Sequence, residues 1–210
     1  MTDFIATAAV MLFVTIDPVG IGPLFAALTR GADAVHRRRM AVKGVLIAAG
    51  ILFVFAFGGD FLLRTLGIGF PAFRIAGGIL LLLLAIEMVF ARASGIRATT
   101  RPEQEEASHK DDISVFPLAI PLIAGPGTLT SVLLLMGRAG GDPWREAAVL
   151  AMLAGVLMTT LLVLLTAGPL SRLLGVTGIN VITRVLGILL AALACQFIID
   201  GLLDSGVGRS

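Results

Sequence analysis

Charge is the scarcest resource in this chain. Asp, Glu, Lys and Arg make up 14% of its 210 residues, against about 25% in an average globular protein. Half of the 30 charged side chains fall in two short stretches, 30–43 and 92–112, and the remainder of the chain is almost free of charge. Cysteine occurs once, as Cys195 inside an apolar run, so an intrachain disulfide is excluded. The two histidines, His36 and His109, have no Cys or acidic neighbours at ligand spacing, and no metal site is expected. Basic residues are dispersed among loops without interleaved aromatics, which excludes a nucleic-acid surface. His-Glu-x-x-His, P-loop, Cys-pair and intramembrane Ser-His patterns are missing. Neither a catalytic constellation nor a cofactor is therefore expected, and the chain is not read as an enzyme.

Apolar residue is what the sequence has in excess: 57% of the total, with a mean hydropathy of +1.00. Long apolar runs separated by brief charged loops mark a helical membrane protein, since about 20 apolar residues in a helix satisfy their own backbone in lipid. Six runs qualify: Phe4 to Leu28, Ala41 to Phe57, Ile75 to Phe90, Val115 to Met136, Ala147 to Leu165, and Ile179 to Leu203. The third is short unless Arg74 snorkels to the headgroups. Asp3 and the interruption at Asp17-Pro18 argue against a cleaved leader, so residues 1–28 are expected to remain in the mature protein.

Six spans bring both termini to one side. Sorting the loops by Lys and Arg places 11 on the opposite side and 5 with the termini, and the positive-inside rule then makes both termini extracytoplasmic. The chain divides into a first three-helix unit, 1–91, a charged cytoplasmic linker, 92–112, carrying Pro102 and Glu103, Glu105 and Glu106, and a second three-helix unit, 113–210. The halves share patterns. Pro18, Gly22 and Pro23 match Pro121, Gly125 and Pro126 at an offset of 103, and Arg74, Gly77 and Leu80 match Arg184, Gly187 and Leu190 at 110. With three spans per half, the second must enter the membrane upside down, giving an inverted repeat.

Pro18, Gly20, Gly22 and Pro23 cannot all sit in one regular helix, and Pro117, Pro121 and Gly125-Pro126-Gly127 open the fourth span in the same way. Irregular backbone at membrane depth is tolerated where it faces protein or a water-filled cavity. Paired breaks in matched spans point to a substrate site, because half-helix N-termini offer amides to anions and C-terminal ends offer carbonyls to cations. The expected site is Asp17, Pro18, Gly20, Gly22 and Pro23 facing Gly125, Pro126, Gly127 and Thr128. Asp17 can serve a substrate amine, a coupling proton or cation, or the cap of the half-helix that follows. Thr128, Thr130 and Ser131 can face a ligand or bond back to their own helix.

Glu87 lies too far from Arg74 to pair with it within one span, so each needs a partner elsewhere. Arg74 and Arg184 read as interfacial anchors or inter-helix clamps, or as ligands; Gln196 reads as a helix-to-helix hydrogen bond or as cavity wall. Small residues such as Gly44, Ala48, Gly77 and Gly155 permit close helix contacts within one chain or between copies, which is compatible with a homo-oligomer.

Asp17-Pro18-Val19-Gly20 with Pro23-Leu24-Phe25, Pro117 to Pro121 leading to Gly125-Pro126-Gly127, Ala76-Gly77-Gly78, and Arg184 to Gly187 with Gln196-Phe197 and Gly201 together resemble the MarC family of bacterial and archaeal inner-membrane proteins. The resemblance covers nearly the whole chain. It implies residence in the inner membrane and secondary transport of small neutral amino acids such as glycine and alanine, the activity attached to SnatA-like members; the family also carries a multiple-antibiotic-resistance label. Members commonly have Asn-Leu-Pro where this chain has Ile21-Gly22-Pro23, so a polar side chain beside the first break is replaced here. The alternative reading is a passive channel or a structural envelope protein whose kinks serve assembly.

Overall fold

The computed structural model describes residues 1–29, 31–90 and 112–206. Eight helical segments follow one another: α1 Thr2–Ile16, α2 Pro18–Leu28, α3 Ala34–Thr65, α4 Phe70–Phe90, α5 Ser114–Ile123, α6 Pro126–Ala139, α7 Pro143–Leu165 and α8 Ala167–Asp204. The fold is all-α, and no strand occurs among the described residues. Five of its helices are long and apolar enough to cross a membrane, counting Thr2–Leu28 as one, and six when α5 and α6, bent by 53°, form one broken span. These are the six apolar runs of the sequence. Apart from Asp112, the linker expected over 92–112 lies outside the described residues.

Helix ends extend beyond the apolar runs where capping chemistry permits. Asp33 accepts from the His36 amide at 2.7 Å and starts α3 seven residues ahead of its apolar run. Asp142 does the same for α7 through the Trp144 amide at 2.9 Å, with Pro143 in the first turn. Arg37, Arg38 and Arg39 are thus helical, two to four residues ahead of the apolar stretch. α8 is interrupted at Gly175, whose φ of 60° is costly for other residues, and its membrane-length part runs over Thr177–Asp204.

Packing relates the two halves. α1 and α2 lie against α7, as α5 and α6 lie against α3; α2 also meets α8 as α6 meets α4, and α4 and α8 pack along their length. Small residues set the α4–α8 distance. A Cβ on Gly78 would stand 2.9 Å from the Ala194 carbonyl oxygen, and one on Gly187 would stand 3.1 Å from that of Ala85. Gly44 and Gly77 are likewise closed by neighbours within the chain, namely Leu118 and Thr130, and Ala48 is fully buried, whereas Gly155 faces open space.

Charged contacts gather at the two ends of the bundle. At one end the Lys43 ammonium donates to Asp112 at 2.6 Å, joining α3 to the start of α5. That bond, followed by those from Ser114, holds the Asp112 carboxyl well below the usual carboxylate range. The folded chain thus keeps this carboxylate charged to lower pH than the unfolded chain does. Its contribution is complete above about pH 4 and is lost as pH falls further. Both side chains are nearly half exposed, so the pair is worth under about 1 kcal/mol. Asp112→Asn should accordingly leave thermal stability near neutral pH almost unchanged and flatten its decline between about pH 4 and pH 3, read as melting temperature against pH in detergent.

Candidate functional site

The first break is made by one residue. Asp17 takes a left-handed conformation, φ 50° and ψ 65°, which Asp and Asn tolerate better than other non-glycine residues. Its amide closes α1 by donating to the Phe13 carbonyl at 2.8 Å. Its Oδ1 then accepts from the Gly20 amide at 3.1 Å, while Pro18 opens α2 with its preset φ. A Cβ on Gly20 would run into the Asp17 carboxylate, so the glycine admits the cap. Asp17 is 2% exposed, and of the roles open to it, capping is the one this geometry fulfils.

The second break is wider. Phe116 and Ile120, each ahead of a proline, leave helical geometry, and the Phe116–Pro117 and Ile120–Pro121 peptides are cis. α5 ends with the Ala124 amide donating to the Ala119 carbonyl at 2.9 Å. Gly125 then occupies the N-cap of α6 with Pro126 in the first turn, and no side chain caps that end. Here the two breaks differ. The amide end of α2 already has a carboxylate, whereas that of α6, with the amides of Gly127 and Thr128, has no side-chain acceptor.

The breaks meet inside the bundle. The Thr128 hydroxyl makes a long 3.5 Å contact with the Thr15 carbonyl at the end of α1. Beside it is a cavity of about 10 Å³ bounded by Thr15, Leu84, Pro121 and Leu122 and by the run from Gly125 to Thr128, room for a single water at most. Of the sequence-derived site, Gly125, Pro126, Gly127 and Thr128 line this cavity. Asp17 and Pro18 follow Thr15 in the chain but do not line it, Gly22 packs on Val163 of α7, and Pro23 lies inside α2. Ile21 is buried. Ser131 bonds back to the Gly127 carbonyl at 2.8 Å, and the methyl of Thr130 lies over Gly77.

The other polar candidates stand apart from the cavity. Arg74 donates through Nη1 to Asp204 at 2.5 Å, clamping α4 to the end of α8, and lies 5.0 Å over the Phe70 ring. Gln196 donates to Asp200 at 2.6 Å, one turn along its own helix, on an exposed face of α8; the bond does not cross to another helix. Glu87 is half-buried on α4, and Arg184 is exposed on α8. Thr15, Leu84, Leu122, Asp200 and Asp204 are the residues that reading the sequence missed. The i, i+4, i+8 spacing of Gln196, Asp200 and Asp204 was a usable signal for the last two; Leu84 is one leucine in a run of five and carried none. Among the described residues no group of His, Cys, Asp and Glu could hold a metal ion.

A multi-pass helical bundle of long apolar helices, two of its spans broken and meeting beside a small cavity, is an integral membrane protein. The chain matches the MarC family integral membrane proteins over residues 2–205 and belongs to that family. It is 38% identical over 191 residues to a UPF0056 membrane protein of Methanocaldococcus jannaschii, covering 91% of this chain and 92% of the relative. Identity is 36% with the UPF0056 membrane protein YvbG of Bacillus subtilis, over 96% of this chain and 95% of the relative. It is 34% with the UPF0056 inner membrane protein YhgN of Escherichia coli, over 94% and 95%. No solved structure matches it.

Proposed function

We propose that the protein is a secondary transporter of small neutral amino acids in the inner membrane, with both termini extracytoplasmic and its substrate held between the two helix breaks. The observation that carries this reading is the contact of the breaks at Thr15 and Thr128, with a small cavity beside it. The ends offered there are complementary to a zwitterion. The uncapped amide end of α6 suits a carboxylate, and the carbonyl end of α1, at Thr15, suits an ammonium group. Asp17 adds a buried carboxylate two residues beyond Thr15, to which this reading assigns a coupling proton or cation. A cavity that holds at most one water cannot hold an amino acid, so this is a closed state, and binding requires α1 and α2 to part from α5 and α6.

We further infer that the halves form an inverted repeat. Landmarks recur at offsets of 108 or 109: Pro18 and Pro126 open α2 and α6, Asp33 and Asp142 cap α3 and α7, and Gly78 and Gly187 make reciprocal contacts. In this register Gly125 stands where Asp17 does, and Gln196 stands where Glu87 does. The sequence match at 103 paired Pro23 with Pro126, but Pro23 is six residues into its helix while Pro126 is at the start of its own. The match at 110 is one residue out.

Uptake of labelled glycine, alanine and serine into proteoliposomes tests the reading. Saturable uptake that rises when unlabelled amino acid is preloaded is expected. Unsaturable flux without trans-stimulation would instead indicate a channel, and no uptake by folded protein would indicate a structural role.

A further inference from the structure

We propose that the N-terminal part of α3 is a binding site for one anionic phospholipid, outside the transport pathway. A shallow, open surface of about 580 Å³ lies along this helix, lined by Arg38, Arg39 and Lys43 interleaved with Val35, Val42, Leu46 and Ile47. Lys43 is already paired with Asp112, but Arg38 and Arg39 are exposed and make no ion pair among the described residues. Two guanidinium groups within one turn of the start of an apolar stretch lie at headgroup depth, where each is worth about 1 kcal/mol toward an anionic surface.

The apolar residues that follow along the helix set the ligand class. Leu46, Val54 and Phe57 expose about two thirds of their area, and Gly50 between them has nothing within 4 Å of where a Cβ would be. From Leu46 to Val54 the helix rises about 12 Å, most of one leaflet's share of a hydrocarbon core about 30 Å thick. The surface is therefore a pair of exposed cations followed along the helix by exposed apolar side chains with a notch at Gly50, which matches a headgroup phosphate with an acyl chain below it. A free phosphate would use the cations alone.

The test is lipid retention by the purified full-length protein, with native mass spectrometry resolving phosphatidylglycerol and phosphatidylcholine offered in equal amounts. Preferential retention of one phosphatidylglycerol is expected. Arg38→Gln with Arg39→Gln should lower that preference roughly thirty-fold, whereas Arg64→Gln with Arg145→Gln, basic residues elsewhere, should not. Gly50→Trp, which keeps every charge and fills the notch, should also weaken retention, while soluble glycerol phosphate should not compete. Equal retention of both lipids, or an unchanged preference in the Arg38 and Arg39 variant, overturns the proposal. So does a preference that emerges only once Glu103, Glu105 and Glu106 are changed to Gln, since the occupant would then be the chain's own acidic run.

Discussion

Replacing Asp17 by asparagine is expected to abolish transport, or to uncouple it from its driving ion, while leaving the protein folded and inserted. The substitution separates two roles that share one side chain. Asparagine caps a helix about as well as aspartate and also tolerates the left-handed backbone that Asp17 adopts, so the hydrogen bond to the Gly20 amide survives. Only the charge is lost. If that charge holds a substrate amine or a coupling proton, the loss of a charge-assisted interaction of about 1.5–3 kcal/mol should lower transport roughly ten- to a hundred-fold. Asp17→Ala provides the contrast, since it removes cap and charge together and should cost about 1 kcal/mol of stability as well. Uptake measured with and without a proton gradient, beside thermal stability in detergent, distinguishes the cases. Wild-type kinetics in Asp17→Asn would reduce Asp17 to a cap.

Those two roles of Asp17 were both legible in the sequence, and the reason they could not be ordered is instructive. An acid before a proline in an apolar span announces a break, but whether its oxygen turns to its own helix or to a cavity depends on the φ of one residue. The six spans were legible because each is a long apolar run, and the two breaks because Pro and Gly act on the backbone locally. Helix ends were misjudged where Asp33 and Asp142 cap turns that lie outside the apolar stretch. The partner of Arg74 was not legible, since Asp204 lies 130 residues away and the pairing exists only because α4 and α8 pack along their length. The register between the halves is ambiguous in the sequence for a related reason. Matching prolines weights identity, whereas Pro18 and Pro126 both begin a helix and Pro23 does not.

That register predicts which glycines tolerate a methyl group. Gly78→Ala and Gly187→Ala should each cost about 1–3 kcal/mol, the usual penalty for overpacking, because each new Cβ meets a backbone carbonyl of the facing helix, Ala194 in one case and Ala85 in the other. A carbonyl held in its own helix cannot rotate aside, so α4 and α8 must separate. Gly77→Ala meets side chains of Thr130 and Leu134 on α6, which can yield, and should cost less. Gly155→Ala meets nothing and should be neutral or gain up to about 1 kcal/mol from helix propensity. Loss of the folded peak on size-exclusion chromatography after heating ranks the four variants. Similar losses for Gly78→Ala and Gly187→Ala, with Gly77→Ala milder, follow from a two-fold relation at an offset of 109. If Gly77→Ala proved costlier than Gly78→Ala, the halves would be related at 110, as matching Arg74 to Arg184 suggests, and the α4–α8 contact would have to be redrawn one residue along.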